Sequence, residues 1–376
     1  MIRALACAVL LMALAAGARA ESDPVRDAKR AAQALDLAAL ALQQADKARD
    51  RIAALTQTVQ AYEAGLSALR DGMRRAIIRE QALQNDLNAR RADIARLTGV
   101  MQTMQRSPES LLLLHPSGPL GTARSGMLLA DIAPALQQQA DVLARDLNEL
   151  AVLRTLQQSA VDTVAQGLHG AQAARIALAQ AVSDRRDLPR RFTADPDAMR
   201  TLLESTDTLE GFAAGLAGLN RETTSDLPLF EARHGVLPLP VQGTVLRRFD
   251  EADAAGIRRP GLLIAARPLA LVTTPAPATI RYRGPLLDYG NVMILEPAGD
   301  YLLVLAGMDR VYGEAGQVLP AGAPVGLMGG KDPKIEAFLA DPAEGGGTDR
   351  TETLYMELRQ GGTPIDPASW FGLNKE

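Results

Sequence analysis

Metal-assisted hydrolysis draws on imidazole, thiolate and carboxylate donors, and this chain is poor in the first two. It contains three histidines, His115, His169 and His234, and one cysteine, Cys7. All four lie upstream of residues 256–370, where short apolar runs alternate with Gly and Pro. A catalytic zinc takes about three protein ligands and keeps an open position, and without the metal there is no activated water. The one arrangement the sequence leaves is His234 with Asp250, Asp253 or Glu357; the simpler reading of His234 is a solvated linker residue. What the segment does offer is Arg259, Tyr282, Met308 and Tyr355, residue types enriched at protein interfaces.

The elements positioning these residues read as β structure. Apolar runs fall at 243–246, 262–265, 269–272, 279–282, 292–295, 301–305, 325–328 and 354–358. Many short strands at this spacing predict an antiparallel sheet or sandwich. Gly290, Gly316 and Gly326 read as turn positions, and residues 331–350 as a polar, Gly-rich, mobile insertion before the last strand.

The order of motifs here resembles the LytM-type, lysostaphin-like zinc endopeptidase domain. Arg259-Pro-Gly-Leu-Leu263 opens it, Asp288-Tyr-Gly-Asn-Val-Met-Ile-Leu295 and Asp300-Tyr-Leu-Leu-Val-Leu-Ala-Gly307-Met308 continue it, and Leu354-Tyr-Met-Glu-Leu-Arg359 and Pro364-Ile-Asp-Pro-Ala-Ser-Trp370 close it. That family holds zinc through a His-x-x-x-Asp pair and the second His of a His-x-His. By the resemblance, the metal-ligand positions are Arg259, Leu263 and Tyr355, and the catalytic-histidine positions are Gly307 and Thr353. Leucine and guanidinium supply no ligand, so the resemblance implies a peptidase-like domain without zinc, cofactor or catalytic residue.

At the other end, Met1-Ile-Arg3, an apolar run from Ala4 to Ala16 and Ala18-Arg19-Ala20 match a cleaved secretory signal peptide over residues 1–20. The run is short for a membrane span. Its removal takes away the only cysteine, leaving the mature chain neither disulfide nor Cys-metal site. The expected compartment is the periplasm. Aromatic content is 3% against abundant Ala and Leu, which predicts long helices beside one modest globular unit. The net charge of −4, with both signs interspersed, speaks against nucleic-acid binding.

Residues 21–185 read as a long helical arm. One seam is Ile52, Val59, Leu66, Met73, Glu80, Leu87, Ile94 and Met101; the other is Leu55, Tyr62, Leu69, Ala76, Leu83, Arg90, Leu97 and Met104. Only Glu80 and Arg90 break this heptad register, which continues upstream through Ala31, Ala34, Ala38 and Ala41 and predicts a coiled coil. Pro108 and Pro116 place a turn near 105–125. Helical patterning resumes near Arg124, with an interruption or kink expected at Pro134. Folding back as an antiparallel hairpin buries both seams; the alternative is an intermolecular coiled coil. Leu111–Leu114 at the turn read either as a docking patch or as a self-packed cap.

Residues 186–240 read as a linker. Within it Asp195-Pro-Asp starts a helix over 195–220, whose stripe includes Leu202, Leu209, Phe212 and Leu216. Residues 223–240 read as an extended tether, and residues 241–376 as the β domain. The whole is an α+β chain: helical hairpin, linker helix and C-terminal all-β lysostaphin-like domain.

This order of parts looks like the EnvC family of murein hydrolase activators. The resemblance implies a non-enzymatic periplasmic regulator whose coiled coil docks on an FtsEX-like membrane complex. It further implies that the degenerate cleft activates an N-acetylmuramyl-L-alanine amidase at septal peptidoglycan, with the linker helix occluding that cleft at rest. The cleft floor would carry Arg259, Leu263, Tyr282, Gly307, Met308, Thr353 and Tyr355, a groove suited to an amphipathic helix. Replacing Arg259 or Tyr355 by a small residue is expected to abolish stimulation and leave the fold intact. The alternatives are a peptidoglycan-binding module without an enzyme partner and a residual zinc endopeptidase.

Overall fold

The computed structural model describes residues 24–45, 47–106, 118–185, 188–192, 195–218, 230–331 and 352–373. The expectations for residues 1–20, 111–114 and 332–350 lie outside them. The Ala- and Leu-rich segment forms helices α1 (Pro24–Gln43), α2 (Ala48–Ala89), α3 (Arg91–Arg106) and α4 (Gly118–Ser183). The heptad register, expected to be broken only at Glu80 and Arg90, is thus shared among separate helices, with α1 ending at Gln43, α2 starting at Ala48 and a further break at Arg90. Pro134, by contrast, lies inside α4 without ending it. Proline deletes one ladder hydrogen bond, and Pro134 itself is exposed.

The chain divides into two compact units, Leu69–Val164 and the remainder. In the first, Met73 and Leu83 are buried, and Arg79 pairs with Glu149 at 2.6 Å. Glu80, one of the two seam breakers, pairs with Arg154 at 3.0 Å. That partner explains how an acid is accommodated in an apolar register.

In the second unit, Ile52, Leu55 and Val59 of α2 pack with Ala174 and Leu178 of α4 and with Leu271 and Leu327 of the β domain. A Cβ at Gly170 would run into the Tyr62 ring, so glycine permits the close approach of these two helices. Glu63 is buried here. Its Oε1 accepts the Leu271 backbone N–H at 3.0 Å and the Arg175 guanidinium at 3.2 Å. Burial pushes its carboxyl above the ordinary range, and both partners oppose that shift.

The β domain consists of β1 (Gly243–Arg247), β2 (Leu262–Ala266), β3 (Leu271–Thr273), β4 (Ala278–Pro285) and β5 (Asn291–Ala298). It continues with β6 (Tyr301–Val311), β7 (Val318–Leu319), β8 (Pro324–Met328), β9 (Glu352–Gln360) and β10 (Thr363–Ile365). They form a 10-stranded sheet of order β1-β2-β9-β6-β5-β4-β7, with β10 on β9 and β8 joining β3 to β6. Strand alternation gives it two apolar faces. On β9, Leu354, Met356 and Leu358 enter the first core, and Tyr355 enters the second.

Phe230, Leu237, Trp370 and Phe371 complete the first core. Residues 230–240 are therefore packed rather than an extended tether. Phe230 stacks on Trp370 with centroids 4.7 Å apart, and the Leu237 N–H bonds the Trp370 carbonyl at 3.1 Å. His234 is exposed, yet its ring tilts against Trp370 at 4.8 Å. Gly326 is no turn: it lies within β8, where a Cβ would collide with the Arg310 carbonyl. Gly290 and Gly316 do hold positive φ, at 69° and 87°.

Candidate functional site

The segment preceding the β domain lies over the second face of the sheet. It is two helices where the sequence predicts one, α5 (Pro196–Ser205) and α6 (Leu209–Gly218). Asp195 caps α5 by accepting the N–H groups of Asp197 and Ala198 at 3.0 and 3.3 Å, the arrangement a short polar side chain makes at a helix start. Thr206 ends α5 in extended backbone, and its hydroxyl donates to the Leu202 carbonyl at 2.6 Å.

Helix α6 buries Leu209, Phe212, Ala213 and Leu216 against Tyr282, Ile294, Val304 and Tyr355 of the sheet. Phe212 is fully buried and meets Tyr282 edge-on at 4.7 Å. Two arginines from the sheet reach the two ends of this helix. Arg281 donates to the Leu216 carbonyl at 3.3 Å and to Glu296 at 3.0 Å; Arg359 stands 3.8 Å from Glu210.

Beneath α6 runs a polar line built from alternate positions of β9. Tyr355 donates to Glu357 Oε2 at 2.7 Å, and Arg359 donates to Glu357 Oε1 at 2.6 Å and to the Gly362 carbonyl at 2.7 and 3.0 Å. Burial pushes the Tyr355 phenol far up, and the Glu357 carboxylate adds to the effect. Burial likewise raises Glu357, while its bonds to Tyr355 and Arg359 pull it down. The phenol is thus a permanent donor and the carboxylate an acceptor satisfied on both oxygens.

The predicted site residues divide into two groups. Leu263 and Tyr355 face each other across the β2–β9 pair. A Cβ on Gly307 would sit 2.6 Å from the Thr353 carbonyl, which brings those two strands together at one place. Arg259 is exposed in the loop before β2, and its charge acts on the Tyr355 phenol. Tyr282 belongs to the same face, under Phe212. Met308 does not: it is buried in the first core.

The cause of that correction is a bulge. Asn291 pairs with Met308 and Val292 with Ala306, leaving Gly307, at φ 95°, as the extra residue. One extra residue reverses the alternation beyond it. Sequence reading also missed Arg359, Arg281 and Glu210, and took Glu357 only as a possible metal ligand beside His234. Glu357 and Arg359 at alternate places after Tyr355, in the otherwise apolar run 354–359, were the available signal.

Zinc, which a LytM-like site implies, does not fit these residues. Leu263 has no donor atom, Arg259 is a cation, and the Tyr355 hydroxyl is committed to Glu357. The set around His234 is not gathered either. His234 lies against Trp370, Asp253 accepts the N–H groups of Ala255 and Ile257, and Glu357 is buried between Tyr355 and Arg359. Among the described residues, no group of three His, Cys, Asp or Glu is placed to hold a metal ion.

Residues 258–367 match the model of Peptidase family M23. The C-terminal β domain is an M23, LytM-like domain. An uncharacterized protein of Neisseria meningitidis serogroup B is 28% identical over 141 residues, covering 38% of this chain and 21% of that protein. An uncharacterized protein of Haemophilus influenzae is 27% identical over 133 residues, covering 35% of this chain and 28% of the relative. The chain thus spans less than a third of the length of either curated relative. Among solved structures, Helicobacter pylori Csd3 is similar at 20% identity and a TM-score of 0.27, over 36% of this chain and 34% of that one. The M23 match begins at Arg258, so helices α1 to α6 lie outside it.

Proposed function

We propose that this protein is a non-enzymatic, periplasmic activator of a peptidoglycan amidase, of the kind the EnvC family represents. The observation that carries the reading is the Leu263–Tyr355 pair. At positions where an M23 peptidase needs metal ligands, the strands carry an aliphatic side chain and a phenol bonded to a buried carboxylate. Such a surface recognises a partner by packing and hydrogen bonding; it does not activate water.

In this reading the surface around Arg259, Leu263, Gly307, Thr353 and Tyr355 is where the amidase docks. Helix α6, with its apolar side on the neighbouring part of that face, is the occluding element. Release is then a competition between the intramolecular helix and the partner, which any bias on the helix can tip. The long helices α1 to α4 serve as a hairpin arm docking on an FtsEX-like membrane complex.

Dye release from labelled peptidoglycan tests the proposal. The mature protein is assayed with and without a periplasmic amidase, in chelated and zinc-replete buffer. Release that needs both proteins is the expected outcome. Zinc-dependent release by this protein alone would overturn the reading.

A further inference from the structure

Between α4 and α5 the chain passes through a strip, residues 188–192, laid along the sheet edge at β7. The Arg191 N–H bonds the Gly316 carbonyl and the Val318 N–H bonds the Pro189 carbonyl, each at 3.0 Å. Arg190 bridges to Gln317, and its side chain pairs with Glu314. At Gly316 a Cβ would run into the Phe192 carbonyl. The strip is thus seated against the sheet edge as far as Phe192.

Arg281 stands between this strip and α6. It is the extra residue of a bulge in β4, where Ile280 pairs with Leu295 and Tyr282 with Ile294; such a bulge re-aims a side chain. Its guanidinium donates to the Leu216 carbonyl, near the C-terminal end of α6, and to Glu296. The same guanidinium lies over the Phe192 ring, 4.9 Å from its centroid. One side chain, 6% exposed, therefore touches both the end of the helix and the end of the strip. A cation is favoured at a helix C-terminus, where carbonyls lack intrahelical partners, and an aromatic face holds a desolvated guanidinium.

We propose that Arg281 is a latch through which the strip controls α6. Seated Phe192 shields the guanidinium from water and keeps it on the Leu216 carbonyl. When α4 draws the strip off the sheet edge, Phe192 leaves, water reaches Arg281, and the tie to the helix weakens as its surroundings become aqueous. This latch presupposes α6 as the occluding element and adds what releases it, displacement of residues 188–192. Phe212 and the second core still hold the middle of the helix, so loosening begins at its C-terminal end.

Hydrogen exchange of the full chain tests the latch without an amidase. Phe192 is partly exposed and belongs to neither apolar core of the β domain, so Phe192→Ala leaves the fold in place. The expected result is exchange at least roughly threefold faster in α6, with β5 and β6 as slow as in the wild type. Phe192→Tyr, which keeps an aromatic face, is expected to restore the protection of α6. Unchanged exchange in α6 overturns the proposal. So does a rise shared equally by β5 and β6, which makes Phe192 a general packing residue. Amidase stimulation by Phe192→Ala beside Phe212→Ala separates the latch from the occlusion it presupposes. If both variants loosen α6 and neither raises stimulation, the latch stands and occlusion fails. If only Phe212→Ala loosens α6 and raises stimulation, occlusion stands and the latch fails.

Discussion

Phe212 and Tyr282 meet edge to face, centroids 4.7 Å apart, where helix α6 is fastened to the sheet. Truncating a buried phenylalanine costs about 3–5 kcal/mol, and here the loss falls on one helix-to-sheet contact. Phe212→Ala is therefore expected to loosen residues 195–218 while the first core holds. Limited proteolysis would show earlier cleavage in this segment, and basal amidase stimulation would rise. Deleting the segment is the poorer test, since it would bare Val292, Ile294 and Val304, which are fully buried. A variant cleaved and stimulating like the wild type would refute the fastening role.

Arg259 and Tyr355, equivalent as sequence positions, part company in the structure. Arg259 is exposed, so Arg259→Ala shifts stability by no more than about 0.5 kcal/mol. If it contacts the amidase as a binding hot spot, stimulation falls at least roughly tenfold. Tyr355 is 7% exposed and sits in the second core. Replacing it by a small residue would unsettle the fold, contrary to the expectation from sequence. Tyr355→Phe is the informative change: it keeps the ring and removes one bond to Glu357, at a cost of about 1–3 kcal/mol. Thermal melts of the three variants, beside dye release, check the ordering.

Most strands and the helical content were legible because each rests on a local pattern: short apolar runs set off by Gly and Pro in β2, β5 and β9, heptads in α2. Tyr355 and Leu263 were placed together by the resemblance to the LytM motifs rather than by any local period. Met308 was misplaced because its facing depends on the bulge at Gly307, and a glycine in a strand does not announce whether it shifts the register. Arg359 went unread, and Glu357 was read only as a possible metal ligand, because their role depends on α6 lying above them. Phe230 was read as linker because its partner, Trp370, is 140 residues away (370 − 230). What the sequence hid, in each case, is a contact distant along the chain.

Buried carboxylates give the second unit an inverted response to mild acid. Glu63, Glu296 and Glu357 each have a carboxyl raised above the ordinary 4.5, with burial as the leading cause. The folded state then holds these protons more tightly than the unfolded chain does. The resulting stabilisation is full below 4.5 and is lost as pH rises through the raised folded values. Asp253 runs the other way: backbone N–H bonds lower it, so its contribution is present above the ordinary aspartate range and lost as pH falls through its folded value. Melting temperature is accordingly expected to rise as pH falls from 7.5 towards 5, and Glu357→Gln to flatten that slope. A slope of opposite sign in the wild type would contradict the assignment.

Gly307 supplies a test of the bulge itself. Its φ of 95° is unfavourable for any side chain, and a Cβ would stand 2.6 Å from the Thr353 carbonyl. Gly307→Ala is expected to destabilise the β domain by about 1–3 kcal/mol, measured by urea unfolding. An unchanged midpoint would mean that the strand relaxes and that the bulge does not fix the alternation.

Glu63 ties the helices to the β domain, and its three changes should rank in a definite order. Arg175→Met leaves a buried carboxylate with its cation gone; Arg175 and Glu63 are only 10% and 7% exposed, and breaking such a pair costs about 3–5 kcal/mol. Glu63→Met breaks the same pair, taking the carboxylate from the Arg175 guanidinium, and also strands the Leu271 N–H, so it costs at least as much as Arg175→Met. Glu63→Gln keeps a carbonyl oxygen for Leu271 and is the mildest of the three. Urea unfolding of the full chain, followed by tryptophan emission from the β domain, reads the order directly. If Glu63→Met matches Glu63→Gln, the bond to Leu271 adds nothing, and the junction is held by the packing of Ile52, Leu55 and Val59 together with bonds such as Arg267 to Ser67 at 2.8 Å.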